Sequence, residues 1–235
     1  MTPIIDTVYM DDELRLRWMP GQSKRLVVVF MGMHGGVGGQ PLDEFAGSAS
    51  SGGANNVLFV TDRRATWYAA PGLWHRLVRL IRYLRKSEGI REIITLGNSM
   101  GGYGALLLPR DLRVSRAIAF SPQVTMDRSI LDDRRWPDVH KRWGALPVRS
   151  VADTIDSTRT EYYLAAGGDC AEDLAHLDLI PKMPRVHRFI FPGAQHNLAR
   201  ALKRQGLLHD MVTNIARGRR ARVKRLLATY SEQAA

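Results

Sequence analysis

The sequence predicts an α/β fold in which helices cover both faces of a mostly parallel β-sheet. Six short apolar runs bounded by turn residues recur along the chain, at 25–31, 56–61, 92–96, 116–120, 161–166 and 186–191. Helix-like stretches separate them, most clearly at 73–87, where Trp74, Leu77, Val78 and Ile81 recur at helical spacing. Strands that alternate with helices form parallel sheets that are buried on both faces.

The first twenty residues predict a different element. Apolar and polar residues alternate there on either side of an acidic turn at Asp11 and Asp12, which is typical of an antiparallel hairpin. Residues 34–56 are rich in Gly, Ser, Ala and Asn and predict a loop with one short helix around 43–46.

Bulk composition predicts one globular domain over residues 1–216. Of the 235 residues, 45% are apolar and 24% are charged, close to the globular average. No apolar run approaches the roughly 20 residues of a membrane-spanning helix, and acids occupy the N-terminal positions where a signal peptide is basic. We therefore expect a cytoplasmic protein. Cys170 is the only cysteine, which excludes an internal disulfide and a zinc or iron–sulfur site built from several cysteines, and we expect no metal site.

Positive charge is concentrated near the C-terminus. The net charge is +11, and residues 200–225 hold nine Arg or Lys against the single Asp210. We assign residues 217–235 as a basic C-terminal tail. Two interpretations stay open: a solvated helix with a loose basic end, or a segment attracted to an anionic membrane, a polyanion or an acidic partner. No signature of specific nucleic-acid readout is present in the sequence.

The motif that indicates chemistry follows the third apolar run. Residues 97–101, Gly-Asn-Ser-Met-Gly, match the G-x-S-x-G nucleophile elbow, with a strand before and a helical segment after. The tight turn exposes Ser99, and the glycines on either side avoid clashes. Met100 then offers a backbone N–H at a helix N-terminus, where the helix dipole favours negative charge. The alternative is a purely structural turn.

A serine nucleophile needs a base, and the base needs an orienting acid. His196 follows the last apolar run and precedes a helix, which fits the base; the alternative is a surface loop histidine. Two acids follow the preceding run. We expect Asp169, directly after a Gly-Gly turn, to be the triad acid, with Asp173 as the alternative; Asp173 could equally be the N-cap of a helix.

The second oxyanion donor is expected in the loop after the first apolar run. Gly32 permits the turn there, and the backbone N–H of Met33 is the expected donor beside that of Met100, with Gly32 as the alternative. The glycines of this loop do not match a dinucleotide-binding or P-loop pattern.

Together, these residues resemble the α/β-hydrolase superfamily over residues 5–215. The resemblance implies an eight-stranded, mostly parallel sheet with an antiparallel start, a Ser-Asp-His triad and no cofactor. His34, Gly35 and Gly36 are similar to the HGG of some esterases but stand one or two positions late. Met-Gly-Met stands at 31–33, where many members have His-Gly.

The resemblance does not name a substrate. We expect a small acyl ester, including an O-acyl group on a carbohydrate, ahead of a thioester. Acyl transfer in place of hydrolysis is one alternative. Another is a non-catalytic binding protein that the basic C-terminal tail recruits to an anionic surface.

Residues 121–160, between the sixth and seventh strands, predict a small lid over Ser99. Aromatic and arginine side chains in the lid and in the loop after the fourth strand would suit a sugar or an anionic acyl conjugate. The alternative is that the tryptophans pack the lid onto the body and the arginines face water. The residues concerned are Trp136, Trp143, Arg134, Arg135 and Arg142 in the lid and Asp62, Arg63, Arg64, Trp67 and Tyr68 in the loop.

Overall fold

A computed structural model describes residues 4–33, 43–136, 146–156 and 158–234. It contains one eight-stranded sheet with the strand order β1-β2-β4-β3-β5-β6-β7-β8. The strands span Asp6–Met10 (β1), Leu14–Met19 (β2), Arg25–Phe30 (β3), Asn56–Asp62 (β4), Glu92–Asn98 (β5), Arg116–Phe120 (β6), Glu161–Gly167 (β7) and Val186–Phe191 (β8). The six predicted runs are therefore confirmed as strands, three of them extended by one or two residues at their C-terminal ends.

The sheet is antiparallel only at its start. Strand β2 pairs antiparallel with β1 and with β4, and every pairing from β4 across to β8 is parallel. This confirms the predicted hairpin and the mostly parallel sheet. The carboxyl ends of the parallel strands share one edge, where ligands bind in open α/β sheets.

Seven α-helices accompany the sheet in the described residues. They span Ala46–Ser50 (α1), Leu73–Ser87 (α2), Met100–Leu107 (α3), Ala171–Asp178 (α4), Leu198–Arg204 (α5), Leu208–Ala216 (α6) and Arg220–Ala234 (α7). The predicted helix at 73–87 is confirmed. The short helix lies at Ala46–Ser50 and not around 43–46; Ala49 at its end is buried in the core, so tertiary packing places it.

Alternating side chains of the strands divide the core into two layers. In β3, Leu26, Val28 and Phe30 face one layer, and Val27 and Val29 face the other. Helices α2, α3 and α4 cover the first layer, whereas α1, α5, α6 and α7 cover the second. Helices on both faces are thus confirmed, and both layers anchor the edge of the sheet that carries Ser99.

The basic segment at 217–235 is largely the helix α7, which packs on the second layer. Val223 and Tyr230 are buried, and the ring of Tyr230 lies 5.0 Å from that of Phe191 in an edge-to-face contact. The opposite side exposes Arg222 and Lys224. The expected attraction to an anionic surface stays a prediction.

Within the described residues, the helices are all too short or too polar to span a bilayer.

Candidate active site

Ser99 occupies the sharp turn between β5 and α3. Its backbone has φ 56° and ψ −119°, in the region that non-glycine residues rarely adopt. Such a conformation costs about 1–3 kcal/mol and persists only where surrounding contacts hold it. Here the Ser99 N–H donates to the Phe120 carbonyl at 2.9 Å, and the Ser99 carbonyl accepts from the Gln123 N–H at 3.3 Å.

The two glycines of the motif are required by close backbone contacts. A Cβ on Gly97 would lie 2.1 Å from the carbonyl oxygen of Gly101. A Cβ on Gly101 would lie equally close, at 2.1 Å, to the carbonyl oxygen of Phe30 in the neighbouring strand β3. Any larger residue would push α3 away from the sheet. The glycine spacing therefore fixes the position of Ser99 above the strand ends.

Ser99, His196 and Asp173 form one continuous hydrogen-bonded chain. The Ser99 Oγ lies 3.1 Å from the His196 Nε2, and the His196 Nδ1 lies 2.8 and 3.0 Å from the two carboxylate oxygens of Asp173. A carboxylate only accepts, so the Nδ1 carries the imidazole proton and the Nε2 is free to accept the proton of Ser99. Ser99 directly follows β5, Asp173 lies in the first turn of α4 after β7, and His196 lies in the loop after β8.

The expectation that Asp169 pairs with His196 is wrong. Asp169 lies in the turn after β7, where its N–H donates to the Ala194 carbonyl and its carboxylate accepts from the Gly193 N–H at 3.1 Å. This carboxylate therefore holds the turn before His196 and not the imidazole itself.

Asp173 takes the acid position from inside α4. The helix begins at Ala171 with Cys170 as its N-cap, so the N-cap interpretation of Asp173 is also wrong. Asp173 is 0% exposed. Burial alone would raise its pKa, but hydrogen bonds from His196 and Arg135 hold the pKa below its ordinary value. The acid is therefore ionised wherever the site is folded at neutral pH.

Arg135, from the segment predicted as a lid, contacts the same carboxylate oxygen of Asp173 as His196 does. It donates to Asp173 Oδ1 at 2.7 Å and to Asp133 Oδ2 at 2.6 Å. Asp133 in turn accepts from the buried His176 at 3.1 Å, and the other ring nitrogen of His176 accepts from the Val124 N–H. We call Asp133, Arg135, Asp173 and His176 the acid-side network.

One group of potential metal ligands lies in the same place. The Cys170 Sγ and one ligand atom each of Asp173 and His196 lie within 4.8 Å of one another. However, the carboxylate and the imidazole are hydrogen-bonded to each other, and the Arg135 guanidinium places a positive charge beside them. These contacts disfavour a bound cation.

The oxyanion donors Met100 and Met33 stay a prediction that local hydrogen bonding supports. Met100 is the first residue of α3, so its N–H has no acceptor inside the helix. The Gly32 N–H, in contrast, donates to the Glu44 carboxylate at 3.2 Å, which leaves the Met33 N–H as the better candidate of that loop. His34, Gly35 and Gly36 lie outside the described residues.

The aromatic and arginine residues near the site divide into different roles. The ring of Trp136 lies 6.1 Å from that of His196, so it can border a bound substrate. Trp67 and Tyr68 are fully buried core residues. Arg134 is exposed and paired with Asp132, whereas Arg135 is turned inward. Trp143 and Arg142 lie outside the described residues.

Comparisons with known proteins identify the fold. No protein-family model matches the sequence, and no curated protein matches it in sequence. Among solved structures, the capsule O-acetyltransferase of Neisseria meningitidis serogroup A superposes with a TM-score of 0.62 at 18% identity, covering 88% of this chain and 93% of that one. Est1E from Butyrivibrio proteoclasticus gives 0.63 at 14% identity, over 92% of this chain and 99% of that one.

A third match is the esterase 2 of Thermogutta terrifontis in a form phosphonylated by sarin. Its TM-score is 0.61 at 16% identity, over 93% of this chain and 96% of that one. Esterases and the O-acetyltransferase belong to the α/β-hydrolase superfamily, and this chain has the α/β-hydrolase fold. Identity this low establishes the fold and leaves the reaction to the site.

Proposed function

We propose that this α/β-hydrolase-fold protein is a serine hydrolase that cleaves a carboxylic ester or thioester through an acyl-enzyme on Ser99. The observation that carries the proposal is the continuous chain of hydrogen bonds from Ser99 through His196 to Asp173. A strained serine at the carboxyl edge of the sheet, with a base and a buried ionised acid in line, has the arrangement that acyl transfer requires.

The proposed reaction begins with attack of the Ser99 Oγ on the substrate carbonyl while His196 Nε2 takes the serine proton. The new C–O bond places negative charge on the carbonyl oxygen, which the N–H groups of Met100 and Met33 would stabilise. His196 then returns the proton to the leaving alcohol or thiol as its bond to carbon breaks. A water molecule, deprotonated by the same histidine, releases the acyl group and regenerates Ser99.

The structural neighbours support this class of chemistry. One, from Thermogutta terrifontis, is named as an esterase and is phosphonylated by sarin. The O-acetyltransferase keeps the transferase alternative open, because the same acyl-enzyme yields transfer when an alcohol replaces water. We expect acyl esters, including O-acyl groups on carbohydrates, as the substrate class.

The test is covalent labelling with a fluorophosphonate, followed by intact-mass spectrometry. We expect one adduct on the wild-type protein, none on Ser99→Ala and a much slower adduct on His196→Ala, because an unassisted serine is a poor nucleophile. Ser87→Ala, at the end of α2, is the matched control and should label like the wild type. A folded wild-type protein that takes no adduct would favour the non-catalytic binding protein.

Hydrolysis and transfer are separated by a competition experiment. With a 4-nitrophenyl ester and increasing glycerol, a hydrolase releases free acid at every glycerol concentration. A transferase diverts most of the acyl group to glycerol, detected as the acyl glycerol by mass spectrometry. We expect the free acid to dominate.

A further inference from the structure

A cavity of about 740 Å³ lies beside the triad, between the segment 43–48 and the helices α5 and α6. Its wall includes Asn98 and Asn197. Asn98 directly precedes Ser99 and Asn197 directly follows His196, so two residues of the wall are chain neighbours of the nucleophile and the base. Its position suits a part of the substrate that extends from the reacting carbonyl.

The two acids in the wall of this cavity already have partners. Asp43 forms an ion pair with Arg17. The Glu44 carboxylate accepts a hydrogen bond from the Gly32 N–H, and burial raises the pKa of Glu44. Both acids therefore already have partners, and within the described residues neither pairs with a cation of the wall.

The cations of the cavity are, in contrast, available. Arg200 and Lys203 of α5 line the wall and are exposed. Within the described residues, neither takes part in an ion pair with an acid. Apolar atoms of Phe45, Ala199 and Leu208 border them. Helix α5 begins directly after the loop of His196, which fixes both cations relative to the triad.

We propose that this cavity binds an anionic group, a carboxylate or a phosphate, carried by the ester substrate, with Arg200 and Lys203 as its partners. The inference rests on the proposed hydrolase function and narrows its substrate class. A guanidinium offers two parallel donors to a carboxylate or a phosphate, and an ammonium adds a point charge.

Two matched pairs of esters test the proposal and locate the anion. On the acyl side, 4-nitrophenyl succinate is compared with the neutral 4-nitrophenyl butyrate. On the alcohol side, 4-acetoxybenzoate is compared with its neutral methyl ester. The measured quantity is the ratio of kcat/KM for the anionic ester to that for its neutral partner.

In at least one pair, we expect the wild-type ratio to be about tenfold or more above that of the double variant Arg200→Gln/Lys203→Gln. A tenfold change corresponds to the loss of one charge-assisted hydrogen bond. Added salt should lower the wild-type ratio as well. Arg204→Gln, on the same helix but outside the cavity wall, is the control and should leave both ratios unchanged.

The inference is overturned if the double variant leaves both ratios as they are in the wild type, or if Arg204→Gln lowers them equally. Failure of the proposed function gives a different result, since wild-type protein would then hydrolyse none of the four esters and take no fluorophosphonate adduct.

Discussion

Charged side chains lie on both sides of His196, and the two sides differ in how those charges are satisfied. On the acid side, Asp133 and Asp173 are buried and Arg135 lies between them, so every charge has a partner. On the cavity side, Arg200 and Lys203 are exposed and unpaired with any described acid. Paired buried charges are costly to break, whereas exposed ones can be removed cheaply. The first set therefore holds the site together, and the second can serve a ligand.

The largest effect is expected at the acid itself. Asp173→Asn removes the carboxylate that holds the imidazole proton on Nδ1, and an amide can stabilise the wrong tautomer. We expect kcat for a 4-nitrophenyl ester to fall by about 10³–10⁴-fold. Asp169→Asn is the matched control, four positions away, and should keep kcat within about twofold. Equal losses in the two variants would contradict the assignment.

The next effect is on stability, at the far end of the acid-side network. Asp133→Ala leaves the buried His176 N–H without an acceptor and removes one of the two acids of Arg135. We expect the free energy of unfolding, measured in urea, to fall by about 3–5 kcal/mol. Asp132→Ala removes the neighbouring exposed carboxylate and should leave the free energy of unfolding unchanged.

The loss of unfolding free energy in Asp133→Ala should depend on pH, and the direction follows from the pKa of Asp133. Burial would raise the pKa of Asp133, but hydrogen bonds from His176 and Arg135 hold that pKa well below its ordinary value. Its ionised contacts therefore stabilise the fold above about pH 4, and this contribution is lost as the pH falls further. The difference in unfolding free energy between wild type and Asp133→Ala should shrink below pH 4. A difference that grows there would refute this account.

A smaller effect is expected from removing the contact between Arg135 and the acid. Arg135→Gln removes the cationic partner of Asp173, so the carboxylate can move and the reacting atoms align less often. We expect kcat to fall about tenfold with little change in KM, and Arg135→Lys to recover part of the loss because it keeps the charge. Arg134→Gln is the control, since that side chain is exposed. A change confined to KM would place Arg135 at the substrate instead.

The sheet could be predicted from the sequence because buried parallel strands are continuous apolar runs. The nucleophile elbow could be predicted as well, because close backbone contacts require glycine at positions 97 and 101. The sequence could not, however, decide between Asp169 and Asp173 as the triad acid. A side chain in the first turn of α4 faces His196 only because of how that helix lies on the sheet, and local sequence does not specify this.

The role of Arg135 was hidden for a related reason. It stands 38 positions from Asp173 in the sequence, and its exposed neighbour Arg134 has the same local appearance. Whether an arginine is exposed or turned inward depends on which groups the folded chain places around it. Likewise, the positive charge near the C-terminus predicts a tail. Val223 and Tyr230, seven positions apart, are instead the buried side of a helix that packs against the core.

Cys170 gives the acid side a built-in reporter. It is the only cysteine, it is 6% exposed, and its Sγ lies within 3.4 Å of an Arg135 nitrogen. Burial also raises the pKa of its thiol, so the folded protein should react slowly with a thiol reagent. The rate of modification then measures how often this corner opens, and it can follow local unfolding around Asp173 without any engineered label.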